Sequence, residues 1–139
     1  MQSIVVDAGP LIALFDRDDR HHHRAVEFAQ TCRARLITNL PALTEAAFLL
    51  RFNVDAQRDC LSWAQRALNI DQNTSSDLPR IISLLDKYRD LPADFADVSL
   101  LALAERLNVL QVASIDSDFA IYRLSGRRRF ENVFLRRPS

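Results

Sequence analysis

Carboxylates are the side chains of this sequence best suited to chemistry. Asp7 closes the apolar run Ile4-Val5-Val6, and Asp116 follows Ser114-Ile115. Glu45 stands just past Asn39 and Pro41, and Asp97 lies three residues after Asp94. Carboxylates gathered at one place repel each other unless they are protonated or bridged by cations. Mg²⁺ is the usual bridge, because it takes oxygen ligands, keeps several waters and readily shares its shell with a phosphate. An ion held that way can generate hydroxide, orient a phosphodiester and neutralise the leaving oxygen. Nitrogen and sulfur offer no rival centre. His21, His22 and His23 are consecutive and cannot share one face of a helix. No His or Cys pair has zinc-ligand spacing.

Each acid also has a plainer use. Asp7 could cap a helix, Glu45 could favour a helix dipole, Asp94 and Asp97 could be a cap and its first-turn companion, and Asp116 and Asp118 could be loop acids. Their joint placement depends on the elements that carry them. Ser3–Val6 reads as a buried strand, and Ala8-Gly9-Pro10 as a turn with Pro10 opening a helix. A helix is expected over His22–Arg33, a strand at Leu36–Thr38, and a helix from Ala42 to about Phe52 after the Asn39 and Pro41 start signal. Asp55 opens a helix whose expected inner side is Leu61, Ala64, Gln65 and Leu68. A short extended piece follows at Leu68–Ile70. The next helix carries the stripe Leu78, Ile81, Ile82, Leu85 and Tyr88. A helix from about Leu91 to Asn108 presents Val98, Leu101, Ala102 and Glu105. A strand at Leu110–Ile115, a helical piece at Phe119–Leu124 and a last strand at Asn132–Leu135 complete the chain.

Short strands alternating with helices, with no hairpin signal, point to a three-layer α/β/α sandwich with a parallel sheet of four to five strands. Ligand sites of such sheets form outside the carboxyl ends of the strands, so Asp7, Glu45 and Asp116 should gather there. Asp97 joins them if its helix starts at the same edge, which a strand near Leu68–Ile70 would permit.

The 139 residues include 48% hydrophobic and 26% charged side chains, a globular balance read as one domain over 1–139. No apolar run is long enough to span a membrane. The start has no basic region before its apolar run, and two cysteines are too few for a disulfide framework, so a cytoplasmic location is expected. Net charge is zero but uneven: residues 119–139 hold six arginines against Glu131 alone. The run Arg127-Arg128-Arg129 could grip phosphates or simply be a solvated charge run.

The segments around the acids resemble the PIN-domain family, and in particular the VapC-type toxins of toxin–antitoxin modules. They are Ile4-Val5-Val6-Asp7-Ala8-Gly9-Pro10-Leu11-Ile12-Ala13-Leu14, Leu43-Thr44-Glu45-Ala46-Ala47-Phe48-Leu49-Leu50, Asp97-Val98-Ser99-Leu100-Leu101-Ala102-Leu103-Ala104 and Ser114-Ile115-Asp116-Ser117-Asp118-Phe119. The resemblance implies an endoribonuclease in which Asp7, Glu45, Asp97 and Asp116 bind one or two Mg²⁺ or Mn²⁺ ions. Asp94 and Asp118 would be auxiliaries, and a metal-activated water would cleave RNA to leave a 5′-phosphate. It further implies a cognate antitoxin protein as partner, and a homodimer built in part on the helical region 55–90. The chain departs from the family at Ala8, where Ser or Thr is common, and at Ser114, where Thr is common.

Other functions carry less weight. A stand-alone PIN nuclease in RNA processing would use the same acids, and a catalytically silent PIN-fold interaction module would not need them. A receiver domain needs a strand-end Lys, but the sole Lys is Lys87. A dehalogenase-like phosphatase needs Asp where Gly9 stands. A dinucleotide fold needs a glycine-rich loop that two isolated glycines cannot supply.

Overall fold

The computed structural model describes residues 2–91, 93–124 and 127–135. Five strands of the described residues form one sheet: β1 (Ser3–Val6), β2 (Arg35–Asn39), β3 (Asn69–Asp71), β4 (Gln111–Ala113) and β5 (Glu131–Asn132). Their order is β3-β2-β1-β4-β5, and every pairing is parallel. Among the described residues, six helices connect and cover them: α1 (Ala8–Phe15), α2 (His22–Thr31), α3 (Leu40–Leu49), α4 (Val54–Ala67), α5 (Thr74–Lys87) and α6 (Phe95–Leu107). A 3-10 turn spans Ser117–Ala120. The α/β/α sandwich expected from the alternation of elements is the fold found. Among the described residues, no helix is long and apolar enough to cross a membrane.

The two faces of the sheet have separate cores. Ile4 and Val6 point into one with α1, α4, Ala25 and Phe134, whereas Val5 points into the other with α5, α6 and Tyr122. This is the two-residue alternation of a strand buried on both sides. The chain builds β2 and β3 on one side of β1, then crosses to place β4 and β5 on the other. The reversal leaves a crevice at the carboxyl ends of β1 and β4, where connections depart in opposite directions. Gly9 keeps that crevice tight: a Cβ there would lie 3.2 Å from Ile115 Cβ.

Several local expectations shift. Helix α1 starts at Ala8 rather than Pro10, because the Asp7 side chain caps it. Helix α3 ends at Leu49, before Phe52, and Asn53 recaptures the chain by capping α4. The buried side of α4 is Ala56, Cys60 and Ala64, and Leu61 is exposed. These small side chains let α4 pack close to α1 and α3. The expected stripe of α5 splits: Ile81 is buried with Leu84, but Leu78, Ile82 and Leu85 are exposed. Arg106 of α6 fixes that rotation by pairing with Asp77 at 3.0 Å and with Asp71 at 2.7 Å. Helix α6 is buried on nearly all sides from Ala96 to Ala104, not along one stripe. Strand β5 spans Glu131 and Asn132, so it meets the last expected strand, Asn132–Leu135, only at Asn132. Cys60 is buried, Cys32 is half-buried, and both are free thiols.

Candidate active site

Asp7 is the first residue past β1, and its backbone N–H still bonds the Ala113 carbonyl at 2.9 Å. Burial follows from this position, and both carboxylate oxygens find donors. Oδ1 accepts from the Ala8 N–H at 2.8 Å, the capping bond of α1. Oδ2 accepts from the Ser114 hydroxyl at 2.9 Å. The same Ser114 oxygen accepts from the Asp116 N–H at 2.9 Å, so one hydroxyl ties the acids after β1 and β4 together. Asn132 of β5 steadies Ser114 from the far side, donating to its carbonyl at 2.9 Å. The hydroxyl absent at Ala8 thus has a counterpart at Ser114, one strand away.

Glu45 and Asp97 come in on helices, and Asn39 sets both. Its Oδ1 caps α3 by accepting from the Ala42 N–H at 3.0 Å. Its Nδ2 donates to Ser99 Oγ at 3.0 Å, and Ser99 in turn donates to the Ala96 carbonyl at 2.7 Å. The buried Asn39 therefore clamps the helix that carries Glu45 to the helix that carries Asp97. Asp94 caps α6 and accepts from the Asp97 N–H at 2.8 Å. Helix α6 begins at the carboxyl edge, as β3 makes room for it to do. Asp116 likewise turns the backbone onto the 3-10 segment, accepting from the Asp118 N–H at 2.9 Å.

The result is two overlapping groups of carboxylates. One oxygen from each of Asp7, Glu45 and Asp97 lies within 4.8 Å of the others, and the same holds for Asp97, Asp116 and Asp118. Asp97 belongs to both. The crowding shows in the protonation equilibria. Burial, opposed by the Ala8 and Ser114 donors, pushes Asp7 up to about 6. Burial and the charges of Asp94, Asp7 and Asp116 push Glu45 up to about 7. Asp97 is held far above the usual carboxylate range, by burial first and then by Asp7 and Asp94. Asp97 and Asp116 are close enough to share a proton, as are Glu45 and Asp94. Asp118, at the rim, is raised as well, by burial and by Asp116.

All six acids singled out in the sequence thus stand in one neighbourhood. The arginine run does not join them. Arg127 to Arg129 immediately precede β5, whose Glu131 pairs with Gln111 at the start of β4, which puts the run at the amino edge of the sheet. Arg128 donates to Asn108 Oδ1 at 2.6 Å, at the opposite end of α6 from Asp97. His22 Nδ1 lies 2.8 Å from the Ala13 carbonyl, joining α2 to α1. The sequence marks Asn39 only as a helix start and gives no separate sign of Ser99. A polar residue at the end of a buried strand was the available signal for Asn39.

A family model described as PIN domain matches residues 4–124. No curated protein sequence matches the chain. Among solved structures, Mycobacterium tuberculosis VapC20, described as a sarcin-ricin loop cleaving toxin, shares the fold with a TM-score of 0.75 at 19% identity. The match covers 85% of this chain and 93% of that one. With its profile matched over nearly the whole described length and its acids gathered at the crevice, the chain belongs to the PIN-domain family.

Proposed function

We propose that this protein is an endoribonuclease that uses Mg²⁺ or Mn²⁺, and that it is the toxin of a toxin–antitoxin pair. The PIN family and the acid cluster together support a nuclease. The observation that carries the reading is the pair of carboxylate groups sharing Asp97 at the β1/β4 crevice. Their chemistry fits a hard divalent cation: every donor is a carboxylate oxygen, with no imidazole or thiolate among them. Burial first, and then the neighbouring carboxylates, raise the protonation equilibria of Asp7, Glu45 and Asp97, so a cation at the site would favour their ionised forms. When bound, the cation supplies that charge, polarises a phosphodiester and promotes attack by water.

The residues of the chain divide the remaining work. Asp7, Glu45 and Asp97 would hold one ion, and Asp97, Asp116 and Asp118 would hold a second or orient the water. Asp7 is buried and bonded through both carboxylate oxygens, and Asp97 is buried with its backbone N–H held by Asp94, so these two would fix the position of the site. Glu45, Asp116 and Asp118 are partly exposed, so a nucleic acid strand would reach the site past them. Water would attack phosphorus and the P–O3′ bond would break, leaving a 5′-phosphate and a 3′-hydroxyl. The exposed apolar side chains Phe48, Phe52, Val54 and Ile82 are surface that a partner protein, such as an antitoxin or a second copy, would cover.

The test is cleavage of a broad RNA panel with Mn²⁺ present, by the parent and by Asp7→Asn. The parent should cut and the variant should not. An inert parent, or a variant as active as the parent, defeats the nuclease reading. Growth arrest on expression, relieved by the product of an adjacent small gene, tests the toxin role separately from the activity.

A further inference from the structure

Asn132 ends β5 in a way that ties this edge strand to the crevice. The ladder between β4 and β5 is short. The Glu131 N–H bonds the Leu110 carbonyl at 2.9 Å, and the Val133 N–H bonds the Val112 carbonyl at 2.8 Å. A ladder continued by one more step would bring backbone groups against Ser114. The Asn132 carboxamide stands there instead. Its Nδ2 donates to the Ser114 carbonyl at 2.9 Å, and its Oδ1 faces the Ser114 N–H at 3.4 Å.

The same Oδ1 accepts from the Phe134 N–H at 3.1 Å, the two-residue bond by which an asparagine turns its own backbone. The turn leads the chain to α2. There the Phe134 ring is fully buried and meets Phe28 edge-on at 5.7 Å, and the Phe134 carbonyl accepts from Arg24 Nε at 2.7 Å. Asn132 is thus held on one side by an anchored aromatic residue, while on the other it holds Ser114. The task needs a carboxamide, which offers a donor and an acceptor together. Ser114 in turn spends its hydroxyl on the acids, donating to Asp7 Oδ2 and accepting from the Asp116 N–H, both at 2.9 Å.

We propose that Asn132 is a positioning residue of the active site: anchored through Phe134, it holds the Ser114 backbone so that the Ser114 hydroxyl sets Asp7 against Asp116. The inference rests on the metal-dependent reading above, in which both acids are ligands. Ser114 lies one residue past the end of β4 at Ala113, where the pairing of the strand no longer fixes the backbone. The Asn132 carboxamide supplies the missing restraint. Groups that hold a ligand in place govern affinity although they never touch the cation.

The experiment uses the full chain with Mn²⁺ alone as probe, and compares Asn132→Ser, Ser114→Ala, the double variant and Val133→Ala. Serine at 132 keeps a weaker form of the turn but is too short to reach the Ser114 carbonyl. Asn132→Thr, better suited to a strand, replaces it should Asn132→Ser not fold. Val133→Ala trims a buried side chain of the same segment and reads what loosening alone does. Thermal melting without metal and Mn²⁺ binding by calorimetry are measured for each. Asn132→Ser should raise the Mn²⁺ dissociation constant about three- to tenfold, at or below the lower end for an outer partner, because it acts one bond further out. Val133→Ala should melt lower yet bind Mn²⁺ as the parent does. In the double variant, Asn132→Ser should add nothing to the loss from Ser114→Ala, as expected of residues that act through one another. Parent-like affinity in Asn132→Ser, additive losses in the double variant, or equal weakening by Val133→Ala overturns the proposal. If Asp7→Asn loses Mn²⁺ while Asn132→Ser keeps it, only the role of Asn132 fails. If the parent and Asp7→Asn take up Mn²⁺ equally, the metal reading fails and the role of Asn132 with it.

Discussion

The Ser114 hydroxyl donates to Asp7 Oδ2 at 2.9 Å while accepting from the Asp116 N–H at 2.9 Å. A single side-chain oxygen thus fixes the spacing of the two acids that follow the central strands. Replacing it tests whether that spacing matters. Ser114→Ala removes one of the two donors that stabilise the buried Asp7 carboxylate, so Asp7 should become harder to ionise. Loss of a hydrogen bond to a charged group costs about 1.5–3 kcal/mol, less what relaxation recovers. Urea unfolding near pH 8 should show a loss in that range. Mn²⁺ concentrations for half-maximal cleavage should rise, and Ser114→Thr should restore both.

The acid cluster should make the metal-free protein pH-sensitive in an unusual direction. Asp7 and Glu45 titrate higher in the fold, at about 6 and 7, than their ordinary values of 3.8 and 4.5. The native state then binds more protons than the unfolded chain, and stability falls as pH rises. This contribution is fully present below about pH 4 and is lost as pH passes through 6 for Asp7 and 7 for Glu45, with Asp97 extending the loss further. Thermal melting from pH 5 to 8 with a chelator present should show a steady decline. Mn²⁺ should reverse it at pH 8, with release of protons measurable by calorimetry in buffers of different ionisation enthalpy.

Asp97→Asn removes the most crowded charge of the cluster. At pH 8 the metal-free variant should melt above the parent, because Asn stays neutral without the proton that buried Asp97 must take up on folding. Cleavage should fall by at least about 100-fold, since a cation supplies several kcal/mol and each 1.36 is tenfold in rate. Rising stability with vanishing activity is the signature to look for; a drop in both would mean Asp97 chiefly supports the fold.

Asn39 joins α3 to α6 through Ala42 and Ser99. Asn39→Ala deletes a helix cap, at about 1 kcal/mol, and strands the Ser99 hydroxyl's acceptor side. Ser99→Ala leaves the cap intact and breaks only the clamp. Comparing their denaturant midpoints separates the two contributions, and both variants should weaken Mn²⁺ binding if Glu45 and Asp97 lose their relative placement.

Arg106 provides a control remote from the acids. It bonds both oxygens of Asp77 at 3.0 Å and reaches Asp71 at 2.7 Å. Arg106→Met should destabilise the protein by about 2 kcal/mol, below the 3–5 typical of fully buried pairs because the arginine is partly exposed. Activity per folded molecule should stay at the parent level, as measured by cleavage normalised to native circular dichroism.

The sequence by itself determined the parts and their local geometry. Asp7, Asn39, Asp94 and Asp116 are short polar residues at the ends of strands or just before helices, where their side chains bond nearby N–H groups, and such bonds are set within a few residues. The period of the strands and helices likewise fixed a parallel sheet between helical layers. What only the tertiary structure decided depends on contacts far apart along the chain. The strand order placed Asp7 beside Asp116. The presence of β3 brought the start of α6, and so Asp97, to the shared edge. The pairing of Arg106 with Asp77 turned Ile82 outward, against its apolar character. Ser114 acquires meaning only there, because a lone hydroxyl carries no local signal of which distant carboxylate it will face.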